Sequence, residues 1–72
     1  MERFGMKLRT LRENQGLSTR KLGIVLGVSH THVIKLERGL THPNIAMLVK
    51  IADFFQVRNL DLLVRDELEL EE

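Results

Sequence analysis

GVSHTHVIKLERG, residues 27–39, decides the fold. A glycine stands at each end. Between them Val28, Val33, Ile34 and Leu36 are apolar, while His30, His32, Lys35 and Arg38 are polar or cationic. On a wheel turning 100° per residue, Val33, Leu36 and Glu37 fall on one side. His30, Thr31, Ile34, Lys35 and Arg38 share the other side, and His32 lies at the margin beside Leu36. Such a segment docks with one face and offers donors, acceptors and a cation with the other. Ser29 can cap it, which predicts a helix over about residues 30–38 that Gly39 stops.

Upstream, Ser18 can cap a shorter helix over about residues 19–26, anchored by Leu22 and Leu26. Only Gly27-Val28-Ser29 separates the two. A turn of three or four residues containing glycine between two short helices is the helix-turn-helix signature, although a generic helical hairpin shares that spacing. Neither helix is long enough to persist alone in water, so packing of Leu22, Leu26, Val28, Val33 and Leu36 must hold both. Gly23 removes bulk where the helices cross.

The same helical spacing runs through the remaining chain. Phe4, Leu8 and Leu11 predict a first helix of roughly residues 3–14, ended by Gly16 as a left-handed cap. Residues 40–43 read as a loop, with Pro43 setting the approach to the next helix. Asn44 caps a fourth helix, about 45–55, with Leu48, Ile51, Ala52 and Phe55 inward. Asn59 caps a fifth beginning near Leu60, including Leu63 and extending towards Leu68 or Leu70. The expectation is an all-α, compact five-helix bundle. Residues 1–65 form one domain, and residues 66–72 form an acidic tail.

The charge is uneven. Net charge is only +1, yet residues 1–65 hold all eleven Lys and Arg against five acids, a balance of +6. DELELEE, residues 66–72, holds the other five acids. A basic body suits a polyanionic partner; a solvated surface with a solubilising tail is the plainer alternative. There is no cysteine, which excludes disulfides and thiolate metal sites. The longest apolar run, Ile45–Val49, is far below the roughly 20 residues of a membrane-spanning helix. MERFGMKLR lacks the apolar centre of a signal peptide. The expected location is the cytoplasm, of a bacterial or phage-type nucleoid-associated protein.

Other chemistries find little footing. His30 and His32 are two residues apart and point in different directions on a helix, so a metal site is not expected. No phosphate-binding glycine loop, nucleophile triad or paired catalytic carboxylates are present, and neither an enzyme nor a cofactor is expected. An α-helix does fit the major groove of B-DNA, where Lys35 can donate to guanine and Thr31 can meet several base edges. A thymine methyl would give Ile34 an apolar partner; a scattered surface residue or a protein contact are the alternatives.

Leu11-Arg12-Glu13, Gly16-Leu17-Ser18, Leu22, Leu26-Gly27-Val28-Ser29, Glu37-Arg38-Gly39, Pro43, Val57 and the Asn59–Leu63 ending together resemble the phage-repressor and Cro-like helix-turn-helix family, the xenobiotic-response-element type. The resemblance covers about residues 4–64. It implies a five-helix bundle that binds operator DNA, usually as a symmetric dimer. It implies that Ser29, His30, Thr31 and Lys35 face the groove, joined on the wheel by Ile34. It implies phosphate or groove-framing contacts for Thr19, His32, Arg38, Thr41, His42 and Asn44; Arg20 is a further phosphate candidate. Most members carry glutamine where this chain has Thr19, and alanine where it has Gly23. Arg12 and Glu37 match a pair that bridges the first and third helices. Ile24 and Val25 stand where the family is usually polar, and either widen the core edge or offer a partner surface.

The expected function is a sequence-specific, double-stranded DNA-binding transcriptional regulator, a repressor acting as a homodimer on a palindromic operator, paired through the C-terminal helix and tail. The alternative is a protein-interaction module, antitoxin-like or adaptor, on the same fold. No small-molecule ligand is expected.

Overall fold

A computed structural model describes residues 2–59 and 62–64. The expected fifth-helix start at Leu60, the domain boundary after residue 65 and the tail 66–72 lie outside them. The protein is all-helical: α1 (Glu2–Asn14), α2 (Thr19–Leu26), α3 (His30–Glu37) and α4 (Ile45–Phe55), followed by the fifth helix, described over residues 62–64.

The starts of α2, α3 and α4 each have a capping side chain in extended backbone. Ser18 accepts from the Lys21 N–H at 3.0 Å, Ser29 from His32 at 3.1 Å and Asn44 from Met47 at 2.7 Å. Each bond satisfies one N–H left without a partner in a first helical turn. α3 ends at Glu37, one residue short of expectation, with Arg38 as its C-cap.

Phe4, Leu8, Leu22, Leu26, Val33, Leu36, Ile51, Ala52 and Leu63 form one core, none more than 6% exposed. Leu11, Leu48 and Phe55, also expected inside, pack against its edge half-buried. The two apolar residues at the family's polar positions part company. Val25 packs against the core, whereas Ile24 is 75% exposed. Neither the core-edge nor the partner-surface expectation therefore covers both.

Two close backbone approaches fix the helices around α3. A Cβ at Gly23 would stand 2.6 Å from the Val28 carbonyl oxygen, nearer than side chains come, so the turn after α2 folds back against its own helix. A Cβ at Gly5 would overlap the carbonyl oxygens of Leu36 and Glu37, so α1 crosses the end of α3 at backbone contact. Glycine in a helix interior lowers stability by roughly 0.5–1 kcal/mol relative to alanine. Here that loss permits two crossings that no larger residue allows without movement.

Candidate nucleic-acid interface

α3 presents its faces as the wheel requires. Val33 and Leu36 have no exposed surface. Thr31, Lys35 and Arg38 are exposed, as is Ser29 just ahead of them. His30, His32 and Ile34 are half-buried, which places them on the flanks of the outward face. The Ser29 hydroxyl oxygen is occupied as a cap, but its O–H can still donate outward.

The orientation of α3 is set from its C-terminal end. Arg12, in the last turn of α1, grips Glu37, in the last turn of α3: Nε to Oε2 is 2.6 Å and Nη2 to Oε1 is 3.1 Å. The side chains are only 13% and 7% exposed. The third guanidinium nitrogen, Nη1, donates to the Leu17 carbonyl at 2.8 Å. One arginine thus ties α1, the chain entering α2 and α3 together. A carboxylate at a helix C-terminus opposes the helix dipole; the bidentate guanidinium offsets that repulsion and the loss of water around Glu37. The hydrogen bond to Glu37, opposed by burial, raises the pKa of Arg12 above its ordinary value, so this cation persists across the working pH range.

The remaining expected contact residues surround this helix in sequence and differ in exposure. Thr19 opens α2 half-buried, and Arg20 next to it is exposed. Thr41 is half-buried, while His42 and Asn44 are exposed in and after the loop that leaves α3. The Asn44 carbonyl is engaged as the α4 cap, leaving its amide N–H groups to donate. The first turns of α2, α3 and α4 contain no acid. Their positive dipole ends are therefore not neutralised from within the helix, a property that favours anions such as phosphate. Among the described residues, no cluster of His, Asp or Glu could hold a metal ion, and no helix is long and apolar enough to cross a membrane.

Three features escaped the sequence reading. Gly5 carries the α1–α3 crossing. Lys50 Nζ donates to the Leu26 carbonyl at 3.4 Å, placing a cation at the C-terminal end of α2. Lys7 Nζ donates to the Leu62 carbonyl at 2.9 Å, tying α1 to the fifth helix. Each joins residues at least 24 positions apart, and no local spacing announces such a pair.

A helix-turn-helix family model matches residues 8–63, which include the turn, both of its helices and the Arg12–Glu37 clamp. The chain belongs to the Cro/C1-type helix-turn-helix family of DNA-binding transcriptional regulators. An uncharacterized HTH-type transcriptional regulator of Archaeoglobus fulgidus is 31% identical over 64 residues, covering 89% of this chain and 91% of the relative. Among solved structures, the P22 c2 repressor in complex with a synthetic operator superposes with a TM-score of 0.78 at 27% identity, over 88% of this chain and 94% of that one. The restriction-modification controller protein C.AhdI of Aeromonas hydrophila gives 0.74 at 30% identity, over 85% and 91%.

Proposed function

We propose that this regulator is a sequence-specific repressor of double-stranded DNA whose α3 enters the major groove. The observation that carries the reading is the split of α3: Val33 and Leu36 are fully buried, while Thr31, Lys35 and Arg38 stand exposed along the opposite side. Ser29, His30, Thr31, Ile34 and Lys35 read base edges, Lys35 by donating to guanine and Ile34 by packing on a thymine methyl. Thr19, Arg20, His32, Arg38, Thr41, His42 and Asn44 hold phosphates, aided by the acid-free N-termini of α2 and α3. Bound at an operator, the protein acts by occupancy. Two copies, joined through the C-terminal helix and tail, read palindromic half-sites about one helical turn, roughly 34 Å, apart. The P22 c2 repressor, solved on its operator, supports the repressor assignment.

Duplex selection from a random library, followed by titration at several salt concentrations, tests this reading. Specific affinity should fall steeply with salt as counterions are released. Lys35→Ala should weaken the selected site by roughly 1–3 kcal/mol and random duplex far less. Equal loss on both would make Lys35 a phosphate contact.

The second reading is an interaction module on the same fold. Ile24 at 75% and Ile45 at 72% exposure are the residues that favour it. It requires that no salt-sensitive duplex binding occur.

A further inference from the structure

All three histidines of the chain, His30, His32 and His42, lie within residues 30–42, on α3 and the loop that leaves it. His30 and His32 sit half-buried in the first turn of α3, and His42 is exposed. Among the described residues, the ion pairs Arg9–Glu13 and Arg12–Glu37 leave all three imidazoles without a carboxylate. The elements packed around α3 bring mostly cations. Arg20 and Lys21 stand exposed on α2, and Lys50 of α4 reaches the Leu26 carbonyl. On α1, Arg3 is exposed, Lys7 donates to Leu62, and Arg9 and Arg12 are held by Glu13 and Glu37. α3 itself adds Lys35 and the Arg38 cap. The other described acids are Glu2, whose backbone stands against Gly39, and Asp53, in the last turn of α4.

Imidazole is the side chain whose charge ordinarily changes between about pH 5 and pH 8. We infer that duplex binding by this surface is coupled to protonation of its histidines, so that affinity rises as pH falls. The inference rests on the DNA reading above and names a regulator of that same surface, the proton. Counter-charge is what the protein does not supply to these rings and what a duplex brings. An anion within about 4–6 Å of an ionisable cation favours its charged form, and duplex DNA carries one negative charge per roughly 1.7 Å of its axis. His32 and His42 are the rings assigned above to phosphates. At His30 the charged ring carries N–H donors on both nitrogens and no acceptor. It therefore suits guanine N7 or O6 and not the adenine amino group. The complex then holds more protons than the separated protein and duplex. Binding that takes up protons strengthens as pH falls. The gain is complete once the free protein is itself charged, and it is lost as pH rises until the bound rings are neutral.

The full chain is titrated with its selected duplex between about pH 6 and pH 8 at fixed salt, where its helical circular dichroism is constant. Wild type should bind at least about fivefold tighter at the acid end. That is the change expected when the duplex raises the proton affinity of one imidazole about tenfold. The triple variant His30→Gln/His32→Gln/His42→Gln should bind equally at both ends. Glu2→Gln and Asp53→Asn should keep the wild-type ratio; its loss in either would assign the coupling to an acid and overturn the inference. The triple variant can fail to fold or bind, so calorimetry of wild type in two buffers of different ionisation enthalpy counts the protons directly. Net uptake on binding is expected. Wild-type affinity that is flat in pH, a binding heat showing no uptake, or a triple variant that keeps the wild-type ratio overturns the coupling. Salt-sensitive duplex binding without pH dependence sinks the coupling alone and leaves the regulator reading standing. Absence of duplex binding at every pH sinks the regulator reading, and the coupling with it.

Discussion

At Gly27 and again at Gln56 the chain closes a helix with the same hydrogen bonds. After α2, the Val28 N–H reaches the Gly23 carbonyl at 2.8 Å; after α4, the Val57 N–H reaches Ala52 at 2.8 Å. Both closures turn through left-handed backbone, φ 75° at Gly27 and 58° at Gln56. The first uses the residue that adopts this conformation without strain; the second places a Cβ where it is disfavoured by roughly 1–2 kcal/mol. The surroundings differ in the same direction. Behind Gly27 lie the docked α3, two backbone-tight crossings and the Arg12–Glu37 clamp. Beyond Gln56 lies an open apolar groove, lined by Met6 and Leu11 of α1 and by Leu62 and Leu63. The half that presents α3 is held by contacts that leave little room to move, whereas the other half keeps apolar surface uncovered.

The largest blow to the first half should come from Glu37→Ala. The pair it removes is nearly sheltered from water, and Arg12 would be left charged with one partner lost. Breaking such a pair destabilises by roughly 3–5 kcal/mol, a large fraction of the roughly 4–11 kcal/mol expected for a chain of this size. Chemical denaturation should show a much lower midpoint. A midpoint equal to wild type would remove the clamp from the account of how α3 is held.

Next is Gly5→Ala. Helix propensity alone would make this change favourable by up to about 1 kcal/mol. The added Cβ, however, meets two backbone carbonyls, which cannot swing aside as a side chain can. Overpacking of this kind costs roughly 1–3 kcal/mol, so a net loss of stability is expected, with α1 displaced from α3. A more stable Gly5→Ala protein would show that the two helices separate easily, and the contrast between the halves would fade.

These two residues also show how far the sequence can be read. Glu37 follows from a resemblance to a known pair, and the faces of α3 follow from a period of 3.6 residues, which is a local property. The serine caps, the glycine turn and the buried Leu22, Leu26, Val33 and Leu36 were legible for the same reason. Gly5 was not. A glycine inside a helix reads as a weak point until its partner, more than 30 residues away, is known. Ile24 and Val25 looked alike in sequence and split because a 100° step carries one to the core edge and the other to water. Helical spacing separates the buried side of α3 from the uncovered side; it does not specify which uncovered groups meet bases and which meet phosphates, since that depends on the duplex.

The smallest effects compare the two turns directly. Gly27→Ala puts a Cβ into left-handed backbone and should lower stability by roughly 1–2 kcal/mol. Gln56→Gly runs the other way. It relieves that same conformation, but the unfolded chain gains freedom that folding must remove, worth about 0.4–1 kcal/mol. The net gain should be about 0.5–1 kcal/mol, a rise of a few degrees in melting temperature for a domain of this size. Gln56 also lines the groove, so its loss tests whether that side chain has a second duty. If Gln56→Gly raises the melting temperature while dimerisation holds, Gln56 is strained backbone and nothing more. If the melting temperature rises and dimerisation weakens, the strain is kept for the sake of the groove wall. A fall in the melting temperature would mean that the glutamine side chain contributes more than its backbone loses, and the two turns would no longer differ in the way argued here.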